Sequence, residues 1–292
     1  MVSIRKKVKG GRTYYYLKHN AGTFQREAYL GTQIPKNIVH LKRQFLIDLQ
    51  RERWSPSIDA IKKGYSENLK KTPNSILEQN LIEFSYYFTH DTQKIEGSSL
   101  TQQETYNLLR FHITPDKKPE SDMIEAQRHH DVFLKIMNSK RDISLKYVLS
   151  WHSELFERTK PEFAGKVRHF PIWVTGSRST FPHARFVPAF LKDFFSWYEK
   201  SKAKIHPVEL AGLAHFRFVN IHPFGDGNGR VSRLIMNKIL HQCGFPLLNI
   251  RYGERKFYYV ALEKGNLKSE ELYFLKWFVK KYISENKRYA KM

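Results

Sequence analysis

One twelve-residue segment, HPFGDGNGRVSR from His222 to Arg233, concentrates residue types that can do chemistry on an anion. Its three glycines alternate with other residues and are Gly225, Gly227 and Gly229. Glycines at this spacing let the backbone turn tightly and bring its N–H groups close to a ligand. The apolar pattern after Arg230 predicts a helix, whose N-terminal amides and dipole favour negative charge. The segment therefore predicts an anion site, and the anion that we expect is a phosphate.

The polar side chains of this loop predict separate roles around a polyphosphate. A histidine titrates near neutral pH, so His222 can accept a proton from a hydroxyl. Asp226 lies among glycines, where holding Mg²⁺ together with substrate phosphates is a natural role for a carboxylate. Asn228 and the loop amides can bind phosphoryl oxygens, while Arg230 and Arg233 share a helix face that suits a polyphosphate tail. Each residue alone has a structural explanation as a cap, a turn residue or a solvated charge, but their combination favours a site.

The composition favours an acidic partner without identifying it. The 292 residues include 50 Lys and Arg against 28 Asp and Glu, a formal net charge of +22. This charge is compatible with nucleic acid, anionic lipid, nucleotides or an acidic protein. The single cysteine, Cys243, excludes an internal disulfide and a multi-cysteine metal site, and we expect a cytoplasmic protein. No signal peptide and no run of about 20 apolar residues is recognisable, so we expect no membrane association.

Residues 1–54 predict a basic β-ribbon followed by a helix. The segments 13–17 and 23–30 are strand-like and are joined through His19–Gly22. Pro35 starts a helical pattern, and the segment Trp54–Pro56 resembles a hinge. Lysines and arginines interleaved with tyrosines can bind nucleic acid, although a ribbon that packs on the core or recognises a protein is the simpler interpretation.

Residues 55–292 predict one helix after another. An apolar pattern beginning near Ile76 continues to Glu96 and ends at Gly97, a residue suited to a left-handed cap. We expect the later helices to begin near Thr101, Glu120, Leu145, Val187, Pro207, Gly229, Arg255 and Glu270. The exception is 165–185, where the short runs 172–174 and 185–187 flank a Gly/Ser/Pro tip and predict a β-hairpin. The predicted fold class is therefore mainly α, with a small N-terminal β-ribbon.

The loop His222–Arg233 resembles the signature of Fic proteins, HPFx(D/E)GNGRxxR, at every signature position. The resemblance covers about residues 75–285 and implies a Fic-type helical bundle with a β-hairpin flap at about 170–187. Similar Fic enzymes transfer AMP from ATP to a hydroxyl of a target protein, and some remove it again. By this resemblance His222 is the general base of the catalytic loop 222–233, and Asp226 holds Mg²⁺. Asn228 and the amides of the loop glycines would bind the α- and β-phosphates, and Arg230 and Arg233 the β- and γ-phosphates.

A second segment, Thr92–Gly97, is similar to the inhibitory helix pattern (S/T)xxxE(G/N) of the family. The resemblance implies that this helix, at about 75–97, precedes the catalytic core in the same chain. It also implies that Glu96 pairs with Arg233 and blocks the γ-phosphate. A structural alternative is that Glu96 merely ends a helix.

Further site residues follow from the same resemblance. Thr175, Gly176, Ser177 and Arg178 would lie over the nucleotide, and a target segment would add to the flap as a strand. Tyr258, Tyr259 and Asn266 align with residues around the adenosine, although the two tyrosines could equally belong to the core.

The leading expectation is a nucleotidyltransferase, a protein adenylyltransferase that uses ATP and Mg²⁺ and modifies a Ser, Thr or Tyr hydroxyl of a target protein docked along the flap. It is autoinhibited by Glu96, and a homodimer is one option for its assembly. One alternative keeps the site and removes AMP, with Glu96 orienting a water. Another is a nucleic-acid-binding regulator in which the Fic site is secondary. A metal hydrolase using His215, His222 and Asp226 fits less well, because the loop offers few metal ligands.

Overall fold

The computed structural model describes residues 2–21 and 24–291. It divides into two compact units, Met1–Asp59 and Ala60–Met292, each of which is described by itself below. Gly22 and Thr23, at the predicted junction of two strands, lie outside the described residues.

The amino-terminal unit contains a three-stranded antiparallel sheet in the order β1-β2-β3, formed by β1 (Val2–Lys9), β2 (Arg12–Ala21) and β3 (Phe24–Gly31). The predicted ribbon is present, and β1 is an additional strand that the sequence pattern did not predict. The apolar alternation of β1 is hidden by its lysines and arginine, two of which bind Glu27 on β3. A bulge between Tyr15 and Tyr16 interrupts the register of the second pair of strands.

The predicted hinge at Trp54–Pro56 is wrong. A single helix, α1 (Ile38–Lys71), continues through Pro56. A proline inside a helix costs about 3 kcal/mol because it removes one backbone hydrogen bond and crowds the preceding turn. Trp54 and Ile58 lie on one face of α1 and are both buried, so their burial offsets this cost.

The second unit is helical, as predicted, and its elements begin within two residues of the expected positions. They are α2 (Asn74–Ile95), α3 (Gln102–Phe111), α4 (Glu120–Asn138), α5 (Leu145–Phe156), α6 (Val187–Ser201), α7 (Pro207–Ile221), α8 (Asn228–Gln242), α9 (Arg255–Leu267) and α10 (Glu271–Asn286). Short 3₁₀ turns occur at Ala184–Phe186, Tyr252–Glu254 and Tyr289–Lys291. Among the helices of the described residues, none has the length and apolar character needed to cross a bilayer.

The core of this unit is organised around α8. This helix packs against α7, α4, α2 and α5, so nearly every side of it is covered. Its apolar residues are buried all round, including Val231, Leu234, Ile235 and Ile239. A helix that is covered on every side is typical of the centre of a bundle. Its N-terminus, which carries the signature loop, is therefore held rigidly.

The predicted β-hairpin in the flap is also wrong. In the described part of the chain between 165 and 187 there is no strand: 172–174 is irregular, and 185–187 forms the 3₁₀ turn and the start of α6. The physical reason lies in the partners of the backbone. The N–H groups of Arg178 and Thr180, both on the second arm, donate to the side chains of Glu263 and Asn266 on α9 and so do not pair with the opposite arm.

Candidate active site

The signature loop connects α7 to α8 in a tight turn. His222 adopts a left-handed conformation with φ 51°, and Gly227, just before α8, has φ 78°. The Asn228 side chain closes the loop: its Oδ1 accepts from the Phe224 N–H at 2.8 Å, and its Nδ2 donates to the Phe224 carbonyl at 2.9 Å. Asn228 therefore shapes the loop, and its Nδ2 has a second N–H that can donate to a phosphate.

Two of the loop glycines lie very close to neighbouring side chains. A Cβ on Gly227 would collide with the ring of Phe156, and the positive φ of this residue disfavours any side chain. A Cβ on Gly229 would collide with the carboxylate of Glu96, which lies directly over the first turn of α8. The amides at this turn have no acceptor within the helix and can bind an anion.

His222 is held as a neutral ring. Its Nδ1 lies 3.0 Å from the Val219 carbonyl, which can only accept, so the hydrogen-bond pattern assigns the proton to Nδ1. Nε2 then carries a lone pair. Burial lowers the pKa of His222 to about 4, so the ring is neutral at physiological pH. This is the state that can accept a proton from a hydroxyl.

Asp226 is surrounded by positive charge. Its Oδ2 lies 2.9 Å from Arg230 and 2.8 Å from the Lys160 ammonium, and its Oδ1 accepts from the Gly227 N–H at 2.5 Å. Burial alone would raise the pKa of Asp226, but the charges of Arg230 and Lys160 outweigh it and hold the pKa well below its usual value. Asp226 is therefore an anion at any physiological pH.

Arg230 is buried and fixed from several sides. It donates to the Gln93 side chain at 3.1 Å, to the Glu125 carboxylate and to Asp226. Its guanidinium lies 4.4 Å from the centre of the Phe156 ring. Such a set of contacts leaves this side chain little freedom to move when a ligand binds.

Arg233 makes the contact with Glu96 that the sequence predicts. Its Nη2 lies 2.7 Å from Glu96 Oε1, and it also donates to Thr92 through Nε, at 2.6 Å from the hydroxyl. Arg233 is 1% exposed, and its Nη1 has no hydrogen-bond partner among the described residues. A buried guanidinium with an unused donor is suited to an additional anionic group.

The end of α2 that carries Glu96 is attached to the core. Gly97 adopts φ 103°, as expected for a left-handed cap. The Tyr259 hydroxyl donates to the Ile95 carbonyl at 2.9 Å. One turn earlier, Asp91 accepts from the Tyr252 N–H and from Asn249. The helix therefore ends in a position fixed by several hydrogen bonds.

The flap is tied to the catalytic loop by Arg168. This buried guanidinium donates to three carbonyls, those of His222 (2.7 Å), Phe170 (2.9 Å) and Pro182 (2.7 Å). The tip, with Thr175, Gly176 and Arg178, is exposed, whereas Ser177 is half-buried. The base of the flap is thus fixed relative to His222, while its tip faces solvent.

The three residues predicted around the adenosine differ in their burial and in their hydrogen-bond partners. Tyr258 is buried, and its hydroxyl lies 2.9 Å from Nε2 of His215, which fits the core alternative. Tyr259 is partly exposed and contacts the end of α2. Asn266 bonds to both the N–H and the carbonyl of Thr180, so it holds the flap.

Several residues of the site have no signal in the sequence. Lys160, Glu125 and Gln93 contact the charged residues of the loop. His152 donates from Nε2 to the Asp226 carbonyl at 2.9 Å, because its Nδ1 accepts from the Gly165 N–H. These side chains come from α2, α4, α5 and the turn after α5, far from the loop in sequence, so only the fold brings them together.

Comparison with known proteins identifies the class of the domain. Residues 142–240 match the model of the Fic/DOC family. The chain therefore carries a Fic domain, as the loop sequence predicts.

Individual relatives agree with this assignment. The chain is 30% identical over 220 residues to the "Protein adenylyltransferase Fic" of Drosophila willistoni, covering 74% of this chain and 43% of that protein. It is 28% identical over 259 residues to the protein of the same name from Drosophila grimshawi, covering 87% of this chain and 51% of that one. The chain thus spans about half the length of these curated relatives.

Solved structures share the fold. Fic-1 (residues 134–508) from C. elegans is 25% identical with a TM-score of 0.72, covering 89% of this chain and 78% of that chain. A Fic domain containing signaling protein from Bacteroides thetaiotaomicron is 24% identical with a TM-score of 0.71, covering 80% of this chain and 96% of that chain. The helical bundle around α8 is therefore the Fic fold.

Proposed function

We propose that this protein is an adenylyltransferase that transfers AMP from ATP to a Ser, Thr or Tyr hydroxyl of a target protein. The observation that carries the proposal is the neutral His222 with a free Nε2 beside a loop of amides and two arginines. The name shared by the curated relatives supports the same reaction and implies ATP as the donor.

The reaction uses the chain's own groups mainly for positioning. Nε2 of His222 takes the proton of the target hydroxyl, whose oxygen forms a bond to the α-phosphorus. The bond from that phosphorus to the bridging oxygen breaks, and pyrophosphate leaves. The amides at the start of α8 hold phosphoryl oxygens, while Arg230 and Arg233 neutralise the tail. Arg168 binds the carbonyls of His222 and Pro182 and so fixes the position of His222 relative to the flap.

Asp226 fits a role as the ligand of Mg²⁺. It is an ionised carboxylate beside the phosphate-binding amides, and one carboxylate plus substrate phosphates is the usual way to bind this ion. The described residues hold no cluster of three or more His, Cys, Asp or Glu, which agrees with a site completed by the substrate. When bound, Mg²⁺ would supply charge neutralisation on the phosphates.

We also propose that Glu96 inhibits the enzyme. Its carboxylate pairs with Arg233 and covers Gly229, which is where the terminal phosphate of a bound ATP would lie. ATP in a productive pose then has to displace Glu96. The flap would receive the target segment, and its exposed tip, including Trp173, is available for this contact. A cytoplasmic location, a homodimer and nucleic-acid binding by residues 1–54 stay predictions.

The test compares wild type, Glu96→Gly, His222→Ala and the double variant with labelled ATP and Mg²⁺. We expect Glu96→Gly to bind ATP in calorimetry and to label itself or an added protein, as read by mass spectrometry. The double variant should bind ATP equally well without labelling. Absence of magnesium-dependent nucleotide binding by Glu96→Gly would refute the proposal. Release of AMP from a labelled protein by wild type alone would favour the reverse reaction.

A further inference from the structure

Four charged side chains, those of Lys160, Arg230, Asp226 and Glu125, form a closed ring of ion pairs that includes the carboxylate of the signature loop. Lys160 lies 2.8 Å from Asp226 and 2.6 Å from Glu125, and Arg230 contacts the same two carboxylates. Thr159 adds a hydrogen bond to Glu125 at 3.0 Å. The ring therefore consists of two cations that each bridge the same pair of anions.

Both oxygens of Asp226 accept hydrogen bonds, and both cations of the ring bind the same oxygen, Oδ2. Oδ1 accepts from the Gly227 N–H, and Oδ2 accepts from Arg230 and Lys160. A Mg²⁺ ion requires an oxygen lone pair at about 2.0–2.1 Å in a nearly octahedral arrangement. Oδ1 keeps one lone pair, but two cations on Oδ2 repel a further positive charge on the same carboxylate, so a metal ion binds Asp226 more tightly when one of them moves away.

Lys160 is the cation that can leave. Arg230 is 4% exposed in its side chain and is fixed by Gln93, Glu125 and Phe156. Lys160 is 30% exposed on a flexible stem, and it keeps Glu125 as a partner after leaving Asp226. Glu125 therefore lowers the cost of moving the ammonium aside.

We propose that Lys160 is a positioning residue that competes with the metal ion for Asp226. This inference rests on the proposed role of Asp226 as the metal ligand. In the absence of ATP the Lys160 ammonium neutralises the charge of the Asp226 carboxylate, so the metal ion binds weakly by itself. ATP phosphates bring ligands for the metal ion and shift the competition, so metal and nucleotide bind together.

The experiment measures Mn²⁺ binding to the full chain without nucleotide, using the electron paramagnetic resonance signal of free Mn²⁺. Lys160→Met and Lys160→Gln should each bind Mn²⁺ about threefold to tenfold more tightly than wild type, since one partly exposed ion pair no longer competes. Lys160→Arg keeps the charge and should stay near the wild-type affinity. Lys166→Met makes the same change of charge on a nearby exposed lysine and serves as the matched control.

The possible results separate this inference from the proposed function. If Lys160→Met and Lys160→Gln bind Mn²⁺ no more tightly than Lys166→Met, competition by Lys160 is refuted. The Asp226→Asn change should remove the gained affinity when combined with Lys160→Gln. If Asp226→Asn leaves Mn²⁺ binding unchanged in every background, the assignment of Asp226 as metal ligand fails instead. Mn²⁺ binding that is lost with Asp226→Asn but is insensitive to Lys160 would leave the proposed function standing without this inference.

Discussion

Arg233 and Glu96 form an ion pair across two helices, with Nη2 and Oε1 2.7 Å apart. The two side chains differ in exposure: that of Arg233 is 1% exposed and that of Glu96 is 24% exposed. Burial opposes the charge of Arg233, but the carboxylate of Glu96 outweighs it and raises the pKa of the guanidinium. The pair therefore compensates a buried positive charge, whose nitrogens also donate to the hydroxyl and the carbonyl of Thr92.

Replacing Glu96 should make ATP a better stabiliser of the fold. In Glu96→Gln the buried Arg233 loses its anion, which should lower the free energy of unfolding by about 1–2 kcal/mol, less than for a fully buried pair because Glu96 is partly exposed. A bound triphosphate then supplies the missing negative charge and stabilises by mass action. Thermal denaturation with and without Mg²⁺ and ATP should therefore show a larger ATP-induced rise of Tm in Glu96→Gln than in wild type.

The matched control for this prediction is Glu83→Gln, another carboxylate of α2, which pairs with Arg110 at the surface. Its ATP-induced rise of Tm should equal that of wild type. An equal rise in all three proteins would contradict the competition between Glu96 and the terminal phosphate.

Removing the Tyr259 hydroxyl should loosen the end of α2. This hydroxyl donates to the Ile95 carbonyl, one residue before Glu96, and its loss should cost about 0.5–1.5 kcal/mol. In Tyr259→Phe we expect faster amide hydrogen exchange at 93–97 and labelling by ATP above wild type but below Glu96→Gly. Tyr273→Phe removes a hydroxyl that binds Lys268 at the surface, and it should change neither quantity. Unchanged exchange in Tyr259→Phe would show that this hydrogen bond does not hold the helix end.

Much of this architecture could be predicted from local pattern. The starts of the helices in the second unit, the left-handed Gly97 and the pairing of Glu96 with Arg233 all agree with the sequence. These features depend on caps, periodicity and a motif, which are all encoded within a few neighbouring residues.

The predictions that are wrong depend on partners far away in the chain. The runs at 172–174 and 185–187 have strand-like composition, but Asn266 and Glu263 satisfy the backbone of the flap instead of a second strand. Likewise, no local pattern indicates that Lys160 reaches Asp226. Tertiary contacts decide such cases, because β-propensity describes a fit to neighbours more than a backbone preference.

Replacing a glycine by alanine should lower the free energy of unfolding only where neighbouring atoms leave no room for a Cβ. Gly227→Ala places a methyl group against the Phe156 ring at φ 78°, so we expect a loss of about 1–3 kcal/mol in the free energy of unfolding, measured by urea denaturation. Gly253→Ala is the control, because a Cβ there meets no atom within 4 Å and its φ is ordinary. Similar losses in the two variants would contradict the crowding of the loop against α5.

The stability of the protein should fall as the pH drops from about 6.5 towards 4. Burial lowers the pKa of His152 and His222 to about 4 and that of His215 to about 3, whereas a histidine in an unfolded chain has a pKa of about 6.5. In this interval the unfolded chain binds protons that the folded chain cannot, so the free energy of unfolding decreases as the pH falls and is insensitive to these groups above about 6.5. Urea midpoints measured across the interval should show a shallower decline in His222→Gln, which removes one such group, while His40→Gln, at an exposed position, should match wild type. Identical slopes in wild type and His222→Gln would mean that His222 binds its proton equally well in the folded and unfolded states, and its assignment as a buried neutral base would then be wrong.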